Sequence, residues 1–152
     1  MSQQDIVVRR VHSYLRVRDA NAAIAFYAKA FGAKENFRLS DPGDRVAHAE
    51  LEFGPTAIML SDEYPEMGVM SPTSLDGTGV GIYVQVEDVN AAYQRAIEAG
   101  ATSMMEPEDQ FYGERAAKVR DPFGHEWLLG QQLEELSPVE MQERFDAMMK
   151  PK

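Results

Sequence analysis

The sequence contains one pattern twice, at a spacing of 69 positions, and this repeat limits the folds that the chain can adopt. Each copy begins with an apolar strand candidate, continues through an aspartate into an alanine-rich helix, and ends that helix at a glycine. The aspartates Asp19 and Asp88 are 69 positions apart, and the glycines Gly32 and Gly100 are 68 apart. Aspartate is a preferred N-cap and glycine a preferred residue after a helix, so both helices carry matching start and stop signals. The repeat predicts two copies of one structural unit.

About three further strand candidates follow each helix, separated by turn residues. In the first copy the four strands are predicted at 11–17, 34–39, 45–53 and 56–61. In the second copy they are predicted at 81–86, 103–106, 114–120 and 125–129. The predicted fold class is therefore α+β, with two tandem βαβββ modules that form a cup-shaped mixed sheet.

The predicted organisation is a single domain over residues 1–152, because a chain of this length can bury a core of its own. Its parts are module one at about 10–62, a linker at 63–78, module two at about 79–133 and a C-terminal helix at about 138–149. The linker is rich in proline and glycine and is interpreted as a surface connection, with a lid or a dimer arm as the alternatives. The last helix opens with a capping box formed by Ser137 and Glu140.

Composition excludes several classes of function. The chain has no cysteine, so disulfides, thiolate catalysis and cysteine-ligated zinc are absent, as in proteins of a reducing compartment. The net charge of −10 disfavours nucleic acid and anionic membranes as partners. No apolar run approaches the ~20 residues that span a bilayer. A cytoplasmic protein without nucleic-acid or membrane partners is expected.

The stretch from Asp121 to Glu126 can be read as a turn or as a catalytic cluster. Asp-Pro starts turns, and Gly124 can adopt the positive φ that closes one. Asp121, His125 and Glu126 also bring two carboxylates and an imidazole within six residues. Its place in the repeat favours the turn that lets the final strand close the cup.

Several motifs resemble those of a known family: YLRV at 14–17, FY at 26–27, FGA at 31–33, HAEL at 48–51, MLSD at 59–62, DQFYGER at 109–115 and VRDPFGHEW at 119–127. With these motifs the sequence resembles the vicinal oxygen chelate superfamily of glyoxalases, bleomycin-resistance proteins and extradiol dioxygenases. It is most similar to the PhnB-type branch. The resemblance covers residues 11–135 and implies two βαβββ modules around one small-molecule site, usually in a homodimer.

Metalloenzymes of this superfamily hold a divalent metal with four inward-pointing His or Glu side chains, about two from each module. The resemblance places these positions at His12, Met59, Gly81 and Leu128. Only His12 supplies a ligand suited to such a metal, and one imidazole does not hold a hard divalent ion. No cofactor is therefore expected, with His12 as the one candidate ligand should a metal bind.

The first functional hypothesis is a small-molecule binding protein without a metal, similar to the bleomycin-resistance type. The acidic surface suits a cationic, aromatic ligand. Arg16 and Arg115 are candidates for binding an anionic group, with surface ion pairing as the alternative. For Trp127 the alternative to a pocket wall is a core position. The predicted ligand-binding residues are His12, Tyr14, Arg16, Met59, Tyr83, Gln85, Phe111, Tyr112, Trp127 and Leu128.

The second hypothesis is a lyase, isomerase or dioxygenase with a rearranged metal or acid–base site. His48, Glu50 and Glu52 alternate along one strand and share a face, and His12 or His125 would complete a metal or acid–base set with them. The catalytic candidates are His48, Glu50 and Glu126. The alternatives are a structural hydrogen-bond network for His48 and Glu50, a turn-stabilising role for His125, and a solvated or arginine-paired carboxylate for Glu126.

Overall fold

The computed structural model describes residues 3–151, in which each copy of the repeat forms one helix between its first and second strands. The first module consists of β1 (Tyr14–Val17), α1 (Ala20–Phe31), β2 (Lys34–Ser40), β3 (Val46–Phe53) and β4 (Thr56–Asp62). The segment between the modules, predicted as the linker at 63–78 and called the connector below, holds one 3₁₀ turn (Pro65–Met67) and the short helix α2 (Pro72–Leu75). The second module consists of β5 (Gly81–Gln85), α3 (Val89–Ala99), β6 (Thr102–Asp109), β7 (Glu114–Arg120) and β8 (Glu126–Gln132). Helix α4 (Pro138–Met149) ends the chain.

Two four-stranded sheets confirm the predicted fold class. Their orders are β1-β4-β3-β2 and β5-β8-β7-β6, and in each sheet the first strand runs parallel to the last. Tyr14 pairs with Met59 in the first sheet, and Tyr83 pairs with Leu128 in the second. Both partners of the second pair lie 69 positions beyond those of the first, so the sequence repeat is also a repeat of strand register.

Both helices begin and end where the sequence predicts. Asp19 and Asp88 each accept a hydrogen bond from the backbone N–H three residues later, at 3.1 Å. Gly32 and Gly100 follow the helices with φ of 70° and 123°, which a residue with a Cβ adopts only with strain. The capping box of α4 is also present.

Strand limits differ from the prediction by three residues at three places and by one residue at several others. β1 begins at Tyr14 rather than at Val11, whose side chain is exposed. β6 extends to Asp109, with irregular register against β7 that an alternation pattern does not reveal. β8 extends to Gln132, three residues beyond its predicted end. No helix within residues 3–151 has the length and apolar character needed to cross a bilayer.

One apolar cluster joins the two modules. The inward-facing residues of β1, β3, β4, β7 and β8 pack beneath α1 and α3, and the two helices contact each other. The sequence alternates on β5, which predicts that Ile82, Val84 and Val86 face the helix, and all three pack against this cluster. The faces that point away from the helices are therefore left for the site.

Asp121 ties the last turn of module two to the helix of module one. Its Oδ1 accepts hydrogen bonds from the backbone N–H groups of Phe123 and His125, at 2.8 and 3.0 Å. Its Oδ2 accepts from the Tyr27 hydroxyl at 2.5 Å and from the Trp127 indole N–H at 2.9 Å. The carboxylate is almost fully buried, so this cluster fixes one module against the other.

The connector is ordered by hydrogen bonds of its own. The Glu63 carboxylate accepts from the Ser71 backbone N–H and from the Ser74 hydroxyl, both at 2.9 Å. Partial burial opposes ionisation of Glu63, but these bonds and nearby Arg18 outweigh it and lower the pKa of the carboxyl to about 2. The ionised carboxylate therefore holds α2 near the start of the connector at neutral pH.

Candidate functional site

The face of each sheet that points away from its helix carries exposed aromatic and polar side chains, and we call it the open face. Cross-strand register assigns the side chains to each face. The first open face holds Tyr14, Arg16, Phe37, Leu39, His48, Glu50, Met59 and Ser61. The second holds Gly81, Tyr83, Gln85, Glu114, Ala116, Lys118, Glu126, Leu128 and Gly130.

The first open face combines aromatic rings with one unpaired cation. The Arg16 guanidinium lies 4.1 Å from the centre of the Tyr14 ring and donates to the Ser61 hydroxyl at 2.6 Å. A hydrogen bond of 2.6 Å joins the Tyr14 hydroxyl to Nδ1 of His48, and the Phe37 ring lies 5.6 Å from that imidazole. Among residues 3–151, no carboxylate forms an ion pair with Arg16. Its charge is available to an anionic group.

The second open face is centred on one carboxylate. The Tyr83 hydroxyl lies 2.8 and 2.7 Å from the two Glu114 oxygens and donates to them. Partial burial of the hydroxyl, this hydrogen bond and the carboxylate charge all raise the pKa of Tyr83. Burial and the charge of Glu114 likewise raise the pKa of Tyr112. Both phenols therefore stay protonated at neutral pH, and the Tyr83 hydroxyl acts as the hydrogen-bond donor to Glu114.

The predicted ligand-binding residues do not line one common cavity. His12, Tyr83 and Gln85 lie together in a cavity of about 440 Å³ between the two sheets. Tyr14 and Arg16 line a second cavity of about 370 Å³ beneath the connector. Met59 and Leu128 line neither cavity and lie on the open faces beside Tyr14 and Tyr83, respectively.

Trp127, Phe111 and Tyr112, which were predicted to form aromatic walls of the pocket together with Tyr83, lie elsewhere. Trp127 is fully buried, stacks on Phe53 with ring centres 5.6 Å apart, and donates to Asp121. This corrects its predicted role as a pocket wall, since strand alternation turns it to the core. Phe111 packs against Tyr112 and against Phe145 of α4, with ring centres 5.2 and 5.4 Å apart. Of the three predicted walls, Tyr112 alone lies close enough to the second open face for the charge of Glu114 to affect it.

The catalytic candidates do not form one group, because His48 and Glu50 lie on the first open face and Glu126 lies on the second. Glu50 accepts a hydrogen bond from Asn36 at 3.1 Å, and Glu126 pairs with Arg120 at 3.3 Å. Arg115 pairs with Asp109 at 2.9 Å, the surface alternative given for it. Within residues 3–151, no three His, Cys, Asp or Glu side chains converge into a group that could hold a metal ion.

His125 corrects a different expectation. Its Nε2 donates to the carbonyl oxygen of Arg16 at 2.9 Å, so its ring joins the two modules rather than stabilising its own turn. Glu114 was not among the predicted site residues. Gly130 could have pointed to it, because an isolated glycine inside a strand often marks a close approach by another group.

Comparisons with known proteins agree with this architecture. The chain is 46% identical over 132 residues to the uncharacterized protein Rv0887c of Mycobacterium tuberculosis, covering 85% of this chain and 78% of that one. The structure is similar to that of the Arabidopsis thaliana At5g48480 product, with a TM-score of 0.65, 27% identity and coverage of 82% and 99% of the two chains. It shares a fold with FosX, a fosfomycin resistance protein of Listeria monocytogenes crystallised with Mn(II) and sulfate, at a TM-score of 0.67, 18% identity and coverage of 92% and 99%. The family model described as Glyoxalase/Bleomycin resistance protein/Dioxygenase superfamily matches residues 9–129.

Proposed function

The chain belongs to the Glyoxalase/Bleomycin resistance protein/Dioxygenase superfamily, and we propose that it binds a small aromatic molecule on its open faces without a metal. One observation carries this proposal: each open face presents a large aromatic side chain to solvent beside an unpaired charge. Tyr14 and Tyr83 are 38% and 49% exposed beside Arg16 and Glu114, respectively, and neither Arg16 nor Glu114 has an oppositely charged partner among residues 3–151. Aromatic surfaces with a few placed polar groups are typical of small-molecule sites.

The residues present do not fit the metal of the superfamily's metalloenzymes. Met59 offers a soft thioether, whereas Leu128 and Gly81 offer no donor atom. His12 is oriented as a ligand would be, because its Nδ1 donates to the Ala57 carbonyl oxygen at 2.8 Å and leaves Nε2 free. One imidazole without further ligands does not hold a hard divalent ion, and the proposed site therefore contains no metal.

We predict that naphthylmethanol, a neutral aromatic probe, binds saturably and that Phe37→Ala raises its Kd about fivefold, since an exposed ring contact contributes about 1 kcal/mol. Phe145→Ala is the matched control, because Phe145 is 40% exposed but lies on α4. Its Kd should stay within about twofold of the wild type. Titration of each protein with naphthylmethanol, followed by NMR, gives the Kd values. Absence of saturable binding, or equal effects of the two substitutions, would refute the proposal.

A homodimer is part of the same proposal. Leu39, Phe37 and Tyr83 are 58%, 45% and 49% exposed on the open faces, and a second copy that faces these side chains would shield them from water, with the ligand bound between the two copies. Light scattering after gel filtration is expected to give a mass of about twice 17.0 kDa. A mass of one chain at micromolar concentration would contradict the dimer.

Acid–base catalysis by His48 is the second candidate, favoured by the hydrogen bond that orients its imidazole against Tyr14. A base in this position would abstract a proton beside a carbonyl group. Dihydroxyacetone in D₂O, followed by proton NMR, would then exchange its C–H hydrogens, and His48→Gln would slow the exchange about 100-fold. If the wild type produces no exchange above buffer, this candidate is eliminated for that class of substrate.

A further inference from the structure

Gly130 creates the space in which Glu114 and Tyr83 meet. It lies on β8 between Gln85 of β5 and Ala116 of β7, so its missing side chain would project from the second open face. A Cβ at this position would lie 2.2 Å from Oε1 of Glu114 and 2.8 Å from the Tyr83 hydroxyl and ring. No real Cβ tolerates these distances. The pair therefore lies directly on the strand backbone and depends on this glycine.

The carboxylate held in this space has no cation of its own. Glu114 is half-buried, and within residues 3–151 it forms no ion pair with an arginine, lysine or histidine. Its hydrogen-bond donor is the neutral phenol of Tyr83, which approaches both carboxylate oxygens. A partly desolvated carboxylate gains most from a charged hydrogen-bond donor, and the faces of nearby phenol rings also attract cations.

From this geometry we propose that Glu114, oriented by Tyr83 over Gly130, is the subsite that binds a protonated amine of the aromatic ligand. The inference rests on the proposed function, because it names the chemical class of the molecule that the open faces bind. Glu114 supplies the charge, Tyr83 orients the carboxylate, and Gly130 allows both to lie against the strand. Arg16 on the other sheet does not share this role, since its charge has the opposite sign.

Three probes of one shape test the subsite in the full-length protein: naphthylmethylamine, which is cationic at neutral pH, neutral naphthylmethanol and anionic naphthylacetate. In the wild type the amine should bind about five- to tenfold more tightly than the alcohol, and this preference should weaken with added salt. Glu114→Gln keeps an acceptor for the Tyr83 hydroxyl but removes the charge. It should reduce the preference for the amine over the alcohol to about one.

Gly130→Ala tests whether binding of the amine requires the position of Glu114 on the strand and not only its negative charge. This substitution keeps Glu114 but displaces it from the strand, so the preference for the amine should also fall to about one. The backbone of Gly130 is outside the left-handed region, and alanine is therefore compatible with its conformation. Glu98→Gln, an equal change of charge on the outer helix α3, is the control and should retain the wild-type preference.

The outcomes distinguish this inference from the proposed function. If none of the probes binds, the proposed function fails and this inference fails with it. If the alcohol and the amine bind the wild type equally, small-molecule binding stands but the amine subsite is refuted. If Glu114→Gln weakens the alcohol and the amine by the same factor, Glu114 has a structural role and the subsite is likewise refuted.

Discussion

Replacing Asp121 with alanine is expected to lower the free energy of unfolding by about 3–5 kcal/mol, because it leaves four buried donors without their acceptor. Two of these donors are backbone N–H groups of the turn, and the others are the Tyr27 hydroxyl and the Trp127 indole. Burial, followed by the charge of Asp121, raises the pKa of Tyr27, so its hydroxyl remains a donor at neutral pH. Chemical unfolding measures the loss, which corresponds to a fall in Tm of about 10 °C.

Asp41 provides a matched control for Asp121, because the chain builds the same Asp-Pro turn a second time near the surface. Oδ1 of Asp41 accepts from the backbone N–H groups of Gly43 and Arg45, at 2.8 and 3.0 Å, and Oδ2 accepts from the Tyr64 hydroxyl at 3.0 Å. Water can replace these bonds when the carboxylate is removed. Asp41→Ala should therefore cost about 1 kcal/mol. Equal losses in the two variants would show that Asp121 does not join the modules.

Features that depend on neighbours in sequence could be predicted from the sequence. Asp19 and Asp88 cap helices whose first N–H groups lie three residues away. Strand alternation placed Tyr83 on the open face and Val84 against the core, because side chains on a strand alternate between its faces. The repeat also identified Tyr83 and Leu128 as the counterparts of Tyr14 and Met59.

Contacts between distant residues could not be predicted in the same way. Asp121 and Tyr27 are 94 positions apart, and His125 and Arg16 are 109 apart. No local pattern links such partners, so Asp121 was interpreted as a turn residue or as part of a catalytic cluster, and Trp127 as either core or pocket wall. Glu114 was missed because its role depends on Tyr83 of β5 and Gly130 of β8, and only the folded sheet brings the three residues together.

Divalent metals are expected to have little effect on the thermal stability of this protein. A metal bound with a Kd of about 1 μM would, at about 1 mM, stabilise the folded state by about 4 kcal/mol. That stabilisation would raise Tm by about 10 °C. Met59, Gly81 and Leu128 supply no suitable donor at the positions that the resemblance assigns to ligands, so we expect a rise below about 1 °C with Mn²⁺, Zn²⁺, Ni²⁺ or Fe²⁺.

His12→Ala is the control that locates any metal effect. His12 is the one residue at these positions with a free imidazole nitrogen, and its ring is held by the Ala57 carbonyl. Weak binding to surface carboxylates would be unchanged by the substitution, whereas binding at the position that the resemblance assigns would be lost.

The most direct test of binding without a metal measures the metal content of the wild type and of His12→Ala. The Tm of both proteins is then measured alone, with each ion, and with naphthylmethanol. Far less than one metal per chain is expected in both proteins, with no Tm change from the ions and a rise in Tm from naphthylmethanol alone. Near-stoichiometric metal in the wild type, together with an ion-dependent rise in Tm that His12→Ala abolishes, would contradict the proposal.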